Sequence, residues 1–356
     1  MKSLAISNHG LRNSGGIERY ALTLVRGLHD IGLRPTFIAK RFDSALPEVA
    51  WVDPVRVRLT GLPAKLHDLV FDWRIRSIKR RRGLFPLIAC NQTGAADIAI
   101  CGSTHPGYLE AMGLRAGLTD RWKIALEHAH LTQAQLVVAH SRRMADEAQR
   151  FHGVPAAKIR LLYPPVDGRR FSCVGAAERQ RLRAQLGLPP DRAVFLLAST
   201  GHKRKGLDLL VDFFRSTQLP VLLVVAGRPI DTVGPGIRYL GYREDLESVY
   251  RAVDFTIVAS TYEPFGLVGV ESVLCGTPVL IAQGAGCAEA ILAPAQLAFD
   301  RQRPGSLGLA ITEALARWQG GTARLSHPIE CLTYDPSVAV HVDALLALAQ
   351  GLSPGH

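Results

Sequence analysis

The chain has no apolar run long enough to cross a bilayer. Its longest, residues 219–226, falls far short of the ~20 positions a spanning helix needs. The start, Met1 to Gly10, is one short apolar run closed by a glycine-rich loop. It lacks the charged end, long apolar stretch and cleavage site of a secretory signal, so a cytoplasmic chain with only peripheral membrane contact is expected. Cysteine is sparse: Cys90, Cys101, Cys173, Cys275, Cys287 and Cys331 are scattered, with no CxxC or Cys/His metal spacing. That excludes a zinc module or a disulfide scaffold and reads as reduced thiols, most of them packing groups. Aromatics make up 7%, too few to interleave with basic side chains in a base-stacking groove. No GxxxxGK[ST] phosphate loop, GxGxxG fingerprint or DxD-type metal pair occurs, so P-loop, dinucleotide and DxD-metal readings fall away.

What is there is enough apolar material for two cores: 356 residues, 47% hydrophobic, too long for one ordinary domain. The net charge of +11 is uneven. Residues 1–167 hold 24 Lys/Arg against 14 Asp/Glu, whereas residues 168–356 hold 18 against 17. The first half is therefore expected to meet something anionic, nucleic acid or anionic lipid.

Short apolar runs alternate with segments of helical period. Residues 4–7 read as a strand, followed by a loop to Gly16 and a helix through Ile17, Tyr20, Leu24, Val25 and Leu28. The pattern restarts after Tyr163-Pro164-Pro165-Val166-Asp167, read as a linker because two prolines interrupt regular structure. Strands at 193–199, 221–227, 237–242, 255–260 and 278–283 then alternate with helices. This order predicts two doubly wound α/β domains, 1–167 and 168–335, with a cleft between their strand C-terminal ends. An apolar tail helix within 336–352 is left to dock on either.

The segment Ser260-Thr-Tyr-Glu263-Pro-Phe265-Gly266-Leu267-Val-Gly-Val-Glu271 carries the densest chemistry. A strand ends, Glu263 stands at the mouth of the loop, and a helix starting near Phe265 turns its N–H groups and positive dipole end outward, which suits a diphosphate. Glu271 lies deeper in that helix. The residues alone leave open a plain strand–helix joint with two solvated glutamates. A second loop, Ser199-Thr-Gly-His-Lys203-Arg204-Lys205-Gly206, puts fixed cations at a strand end, where they would stabilise a departing phosphate. A third, Asn8-His9-Gly10-Leu-Arg12-Asn-Ser-Gly15-Gly16-Ile-Glu18-Arg19, is a glycine-rich turn that lets backbone approach a ligand. His105, after the strand near 96–101, would face the cleft.

The first segment resembles the Glu-x7-Glu motif of retaining GT-B glycosyltransferases of family 4, and the likeness extends over most of the chain, densest between residues 193 and 291. The resemblance implies a GT-B fold of two facing Rossmann-like domains, acceptor-binding first and nucleotide-sugar-binding second. It implies that Glu263 contacts the donor sugar, that the amides of Phe265, Gly266 and Leu267 hold sugar and diphosphate, and that Glu271 binds ribose. It gives Lys205 and Arg204 to the phosphates, Gly15 and Gly16 to the donor, His105 to the donor sugar, and Tyr242 and Arg243 to the nucleobase. Gly284-Ala-Gly286-Cys-Ala-Glu289 resembles the family's loop beyond Glu271. Many members carry Arg directly after the strand where this chain has Ser199-Thr200, leaving Arg204 or Lys203 to substitute.

The implied reaction is transfer from a nucleotide-diphosphate sugar to a glycan or glycolipid acceptor, with retention, no metal and no cofactor beyond that co-substrate. Short members similar to this chain act on the lipopolysaccharide core. Residues 40–95 match the family least. There Arg74, Arg76, Lys79, Arg80, Arg81 and Arg82 flank an apolar stripe of Phe71, Ile75 and Ile78, expected to lie on an anionic membrane surface or to be an ordinary basic helix. A nucleotide-sugar epimerase, or a non-catalytic nucleotide- or nucleic-acid-binding protein, are the competing functions.

Overall fold

The computed structural model describes residues 3–354. The chain forms two compact units: one runs to Pro165 and is rejoined from Pro336 onward, the other is Val166–Asp335. The crossing at Pro165 falls inside the proline-interrupted segment.

The first unit contains strands β1 (Ala5–Ser7), β2 (Gly10–Leu11), β3 (Thr36–Ala39), β4 (Arg41–Phe42), β5 (Asp53–Arg56), β6 (Leu87–Ala89), β7 (Ile98–Cys101), β8 (Leu136–Ala139) and β9 (Ile159–Leu161). Its helices are α1 (Gly16–Asp30), α2 (His67–Arg82), α3 (His105–Ala111), α4 (Leu118–Gln133) and α5 (Arg142–His152). Among the described residues the main sheet runs β5-β3-β1-β6-β7-β8-β9, all parallel. Helices on both faces explain why β1, β6 and β7 are buried at every position rather than at alternate ones.

The second unit contains α6 (Ala176–Gln185), β10 (Ala193–Ser199), α7 (His202–Lys205), α8 (Leu207–Ser216), β11 (Val221–Gly227), β12 (Ile237–Tyr239), α9 (Leu246–Ala252), β13 (Phe255–Val258), α10 (Leu267–Leu274), β14 (Val279–Ala282), β15 (Gln296–Phe299) and α11 (Ser306–Gln319). Its sheet is also parallel, in the order β12-β11-β10-β13-β14-β15. Phe195, Phe255 and Phe299 fill the middle of its core.

The tail helix α12 (Val338–Gln350) belongs to the first unit. It lies on α1 at Gly27, where a Cβ would come within 2.7 Å of Val338 and Val342, so glycine is what allows the two helices to approach. Val342, Leu345, Leu346 and Ala349 join Leu24, Val25 and Leu28 in one core. His341 adds a polar tie. Its Nδ1 donates to the carbonyl of Tyr163 at 3.0 Å, leaving Nε2 to accept from the Tyr20 hydroxyl at 2.9 Å. Burial pushes this imidazole down to about 4.

Candidate active site

In the second unit the candidate residues collect at the carboxyl edge of the sheet, where open α/β sheets bind ligands. β13 runs out at Val258 and the chain turns through Ser260 to Glu263. The Glu263 carboxylate is 7% exposed. Its Oε2 accepts from Lys205 Nζ at 2.6 Å and from the Ser260 hydroxyl at 2.7 Å, with Arg204 Nη1 3.6 Å away. Burial alone would push the carboxyl up. The Lys205 and Arg204 charges and the two hydrogen bonds outweigh it and hold Glu263 below the usual carboxylate range.

The loop around Glu263 is pinned from several sides. Thr261 N–H donates to the Arg204 carbonyl at 2.8 Å, and Arg204 Nη1 donates to the Tyr262 carbonyl at 2.8 Å. Gly286 N–H donates to the Glu263 carbonyl at 3.0 Å and Cys287 N–H to the Phe265 carbonyl at 2.6 Å. A Cβ on Gly286 would sit 2.0 Å from the Pro264 carbonyl oxygen, so this close pass requires glycine. Arg301 donates to the Ala259 carbonyl. Helix α10 begins at Leu267 rather than near Phe265: Gly266, at φ +98°, takes a left-handed conformation that ends the loop first. Leu267 thus opens the helix, and its first-turn N–H groups have no intrahelical acceptor.

The basic segment is not a loop throughout. Lys205 and Arg204 sit on the single turn α7, closed by Gly206 at φ +73°, where a Cβ would meet the Ala259 oxygen at 2.2 Å. At the departure from the family pattern, the Ser199 hydroxyl donates to His202 Nδ1 at 2.8 Å and His202 Nε2 donates to the Pro229 carbonyl at 2.9 Å. That pair fixes the turn. It leaves Arg204, not Lys203, beside Glu263.

Glu271 is buried one turn into α10, where it accepts from the Tyr250 hydroxyl at 3.1 Å. Tyr242 is exposed after β12, and Arg243 bonds Asp245 at 2.6 Å. These residues share the same sheet edge as Glu263 without touching it in any contact described.

In the first unit Gly15 precedes α1 and Gly16 opens it; a Cβ on Gly16 would meet nothing within 4 Å. Packing does not demand a glycine there. His105 opens α3, capped by Thr104, and its Nε2 lies 2.8 Å from Asp120 Oδ1. No described contact links His105 to Gly15 or Gly16. His130 is buried, with Nδ1 donating to the Thr93 carbonyl at 3.1 Å, and His140 packs edge-on against Tyr20, its pKa driven down to about 3 by burial. Both imidazoles are enclosed in the interior of the first unit.

The basic helix α2 corrects one expectation. Phe71 and Ile75 are fully buried and Ile78 packs against the same core, so that stripe faces the sheet and meets no membrane. A different set is exposed: Leu66, Leu69 and Trp73 (58%) on and just before α2, and Leu118 (77%) and Trp122 (50%) on α4. Lys40, just past β3, bonds Asp68 in the first turn of α2, as His105 past β7 bonds Asp120 in the first turn of α4. Both exposed stripes therefore begin at the carboxyl edge of the sheet. The helices are neighbours, Arg76 donating to Gln133 at 3.2 Å.

Residues 14–170 match the Glycosyltransferase Family 4 model and residues 178–322 the Glycosyl transferases group 1 model. A protein of Burkholderia thailandensis named a probable transglycosylase is 45% identical over 350 residues, spanning 98% of this chain and 96% of its own. The chain is a family 4 glycosyltransferase. Its fold is GT-B: WaaG, a glycosyltransferase involved in lipopolysaccharide biosynthesis, superimposes with a TM-score of 0.79 at 14% identity, over 98% of this chain and all of its own. Anabaena HepE, solved with UDP and glucose, gives 0.75 at 17% identity, over 98% and 100%.

Three residues of this glycosyltransferase escaped the sequence reading. Ser260 stood at the head of the motif without an assigned role. Asp120 and Arg301 reach their partners only through the fold, from 15 and 42 positions away, and no local pattern marks them. Among the described residues no group of three or more His, Cys, Asp or Glu is placed to hold a metal ion, and no helix is long and apolar enough to cross a membrane.

Proposed function

We propose that this enzyme transfers a sugar from a nucleotide-diphosphate donor to a lipid-linked or cell-envelope glycan, lipopolysaccharide core or similar, with retention of configuration. The observation that carries the donor half is the buried Glu263 carboxylate, held ionised by Lys205 and Ser260 at the mouth of α10. Glu263 binds hydroxyls of the donor sugar. The amides of Phe265, Gly266 and Leu267 and the cations Lys205 and Arg204 hold the diphosphate, and fixed positive charge there stabilises the leaving group as its bond to the anomeric carbon breaks. Arg204 takes the place of the arginine found after the strand in many relatives. Glu271 accepts from the ribose hydroxyls, with Tyr250 fixing its second oxygen. Tyr242 and Arg243 meet the base. Gly15 and Gly16 let backbone approach the donor, and His105 contacts its sugar. The leaving diphosphate, an oxyanion beside the acceptor hydroxyl, takes the acceptor's proton.

The first unit, with its returning helix α12, binds the acceptor, and the second the donor. The basic surplus of the first unit and the exposed leucines and tryptophans of α2 and α4 support docking on the inner face of the cytoplasmic membrane, where a lipid-linked acceptor is met. Tryptophan and leucine enter the interfacial layer while Lys65, Arg74, Arg121 and Lys123 meet anionic headgroups.

Screening UDP-glucose, ADP-glucose and GDP-mannose for thermal stabilisation tests the donor site, because a bound donor raises the transition temperature by mass action. At least one is expected to stabilise the wild type and to lose that effect in Lys205→Ala. Product analysis with donor alone separates transfer from epimerisation: an altered sugar nucleotide formed without acceptor would end the transferase assignment of this site. Co-sedimentation with anionic vesicles is expected to be lost in Trp73→Ala/Trp122→Ala. Undiminished binding of that variant would remove the membrane face.

A further inference from the structure

The backbone at His105 is fastened separately from its ring. Its N–H donates to both oxygens of buried Glu127, at 3.1 and 2.9 Å, and Glu127 also accepts from His152 Nε2 at 2.7 Å. Thr104 caps α3 through Gly107 N–H at 3.2 Å and donates its hydroxyl to Glu147, which Arg143 holds at 2.7 Å. The start of α3 is thus anchored to two carboxylates on α4 and α5 before the imidazole is considered.

The ring has its own partner. Asp120 Oδ1 lies 2.8 Å from His105 Nε2, while Oδ2 accepts from Gly117 N–H at 3.0 Å, which fixes the carboxylate in the first turn of α4. The hydrogen bond from His105, then that from Gly117, holds Asp120 below the ordinary carboxylate range. An ionised carboxylate only accepts, so Nε2 must carry the proton. A neutral ring then has its lone pair on Nδ1.

We propose that Asp120 is a positioning residue: it fixes His105 as the Nε2–H tautomer, so that Nδ1 accepts a hydrogen bond from a hydroxyl of the sugar being transferred. This rests on the reading of His105 as a contact to that sugar. Without Asp120 the ring rotates or changes tautomer, and an N–H meets a hydroxyl that is placed to donate.

The test combines a spectrum with kinetics. In protein labelled with ¹⁵N-histidine, the His105 signals are assigned by their loss in His105→Gln and read for tautomer. Wild type is expected to show the Nε2–H form and Asp120→Ala a mixture. Turnover of whichever of UDP-glucose, ADP-glucose or GDP-mannose stabilises the enzyme should fall about three- to tenfold in Asp120→Ala, the worth of one neutral hydrogen bond, with UDP, ADP or GDP affinity unchanged. Asp120→Glu should recover part of the loss, and His105→Gln/Asp120→Ala should lose no more than His105→Gln. Asp120→Asn, which keeps the side-chain size, repeats the test if the alanine variant does not fold. An unchanged tautomer with unchanged turnover, or additive losses in the double variant, overturns the assignment of Asp120. Full turnover in His105→Gln overturns instead the reading of His105 on which it rests.

Discussion

Replacing Lys205 with methionine removes one charge from a buried pair and keeps the volume. Lys205 Nζ and Glu263 Oε2 are 2.6 Å apart, with both side chains largely out of water. Stranding one member of such a pair costs about 3–5 kcal/mol. Ser260 and Arg204 remain beside Glu263, so we expect the lower part of that range, about 3 kcal/mol. At about 2–4 °C per kcal/mol for a domain of this size, the transition falls by about 6–12 °C. The pH dependence gives the sign. In wild type the Glu263 pKa is depressed, so its contribution is complete above the unfolded carboxylate value, about 4.3, and is lost as pH falls through the lower folded value. In Lys205→Met the largest opposing charge is gone and burial pushes the carboxyl up, so protonation relieves the stranded charge on acidification. The stability gap is therefore widest near pH 7–8 and narrows toward pH 4. Adding Glu263→Gln should return stability to within about 1 kcal/mol of wild type, because no buried charge is left alone. It should not restore turnover, which falls on the order of a hundred- to a thousandfold when a cation at the leaving group is lost. Urea unfolding across pH, with transfer assays on the same samples, measures both. A Lys205→Met gap that does not change with pH, or a folded variant with normal turnover, refutes the argument.

Glu271→Gln should raise the donor KM about tenfold with kcat near wild type, and Tyr250→Phe should do the same more weakly, since it only loosens one oxygen of Glu271; steady-state kinetics read both. Gly206→Ala should lower stability by at least about 2 kcal/mol, from left-handed strain added to the approach of the Ala259 oxygen, whereas Gly16→Ala should leave the unfolding transition unmoved or slightly raised. Equal effects in thermal melts would show that the two glycines are not kept for different reasons.

The second unit was the more legible in the sequence because β10 and β11 are unbroken apolar runs and the Glu263–Glu271 segment is a local motif whose parts lie within one strand, one turn and one helix. The first unit was less so. β6 and β9 have three residues each, too short for periodicity to mark. On α2 the apolar stripe was correctly placed on one side of a helix, but helical period alone cannot say whether that side meets a sheet or a membrane; Phe71 and Ile75 turned to the sheet, and Trp73 one step away turned outward. The pairing of Lys205 with Glu263 spans 58 positions and depends on β10 and β13 being neighbours in the sheet, a fact of strand order that no window of sequence contains. That Arg204 lies beside Glu263 depends on the same strand order.

Because α12 supplies part of the core beneath α1, the first unit to be translated is the last to be finished. Residues 166–335 leave the ribosome while Leu24, Val25 and Leu28 still await Val342 and Leu345. A stop codon between residues 336 and 338 would spare the second unit but leave the amino-terminal one with an uncovered apolar face. Such truncations are best read as lesions of folding and solubility rather than as trims of a dispensable tail.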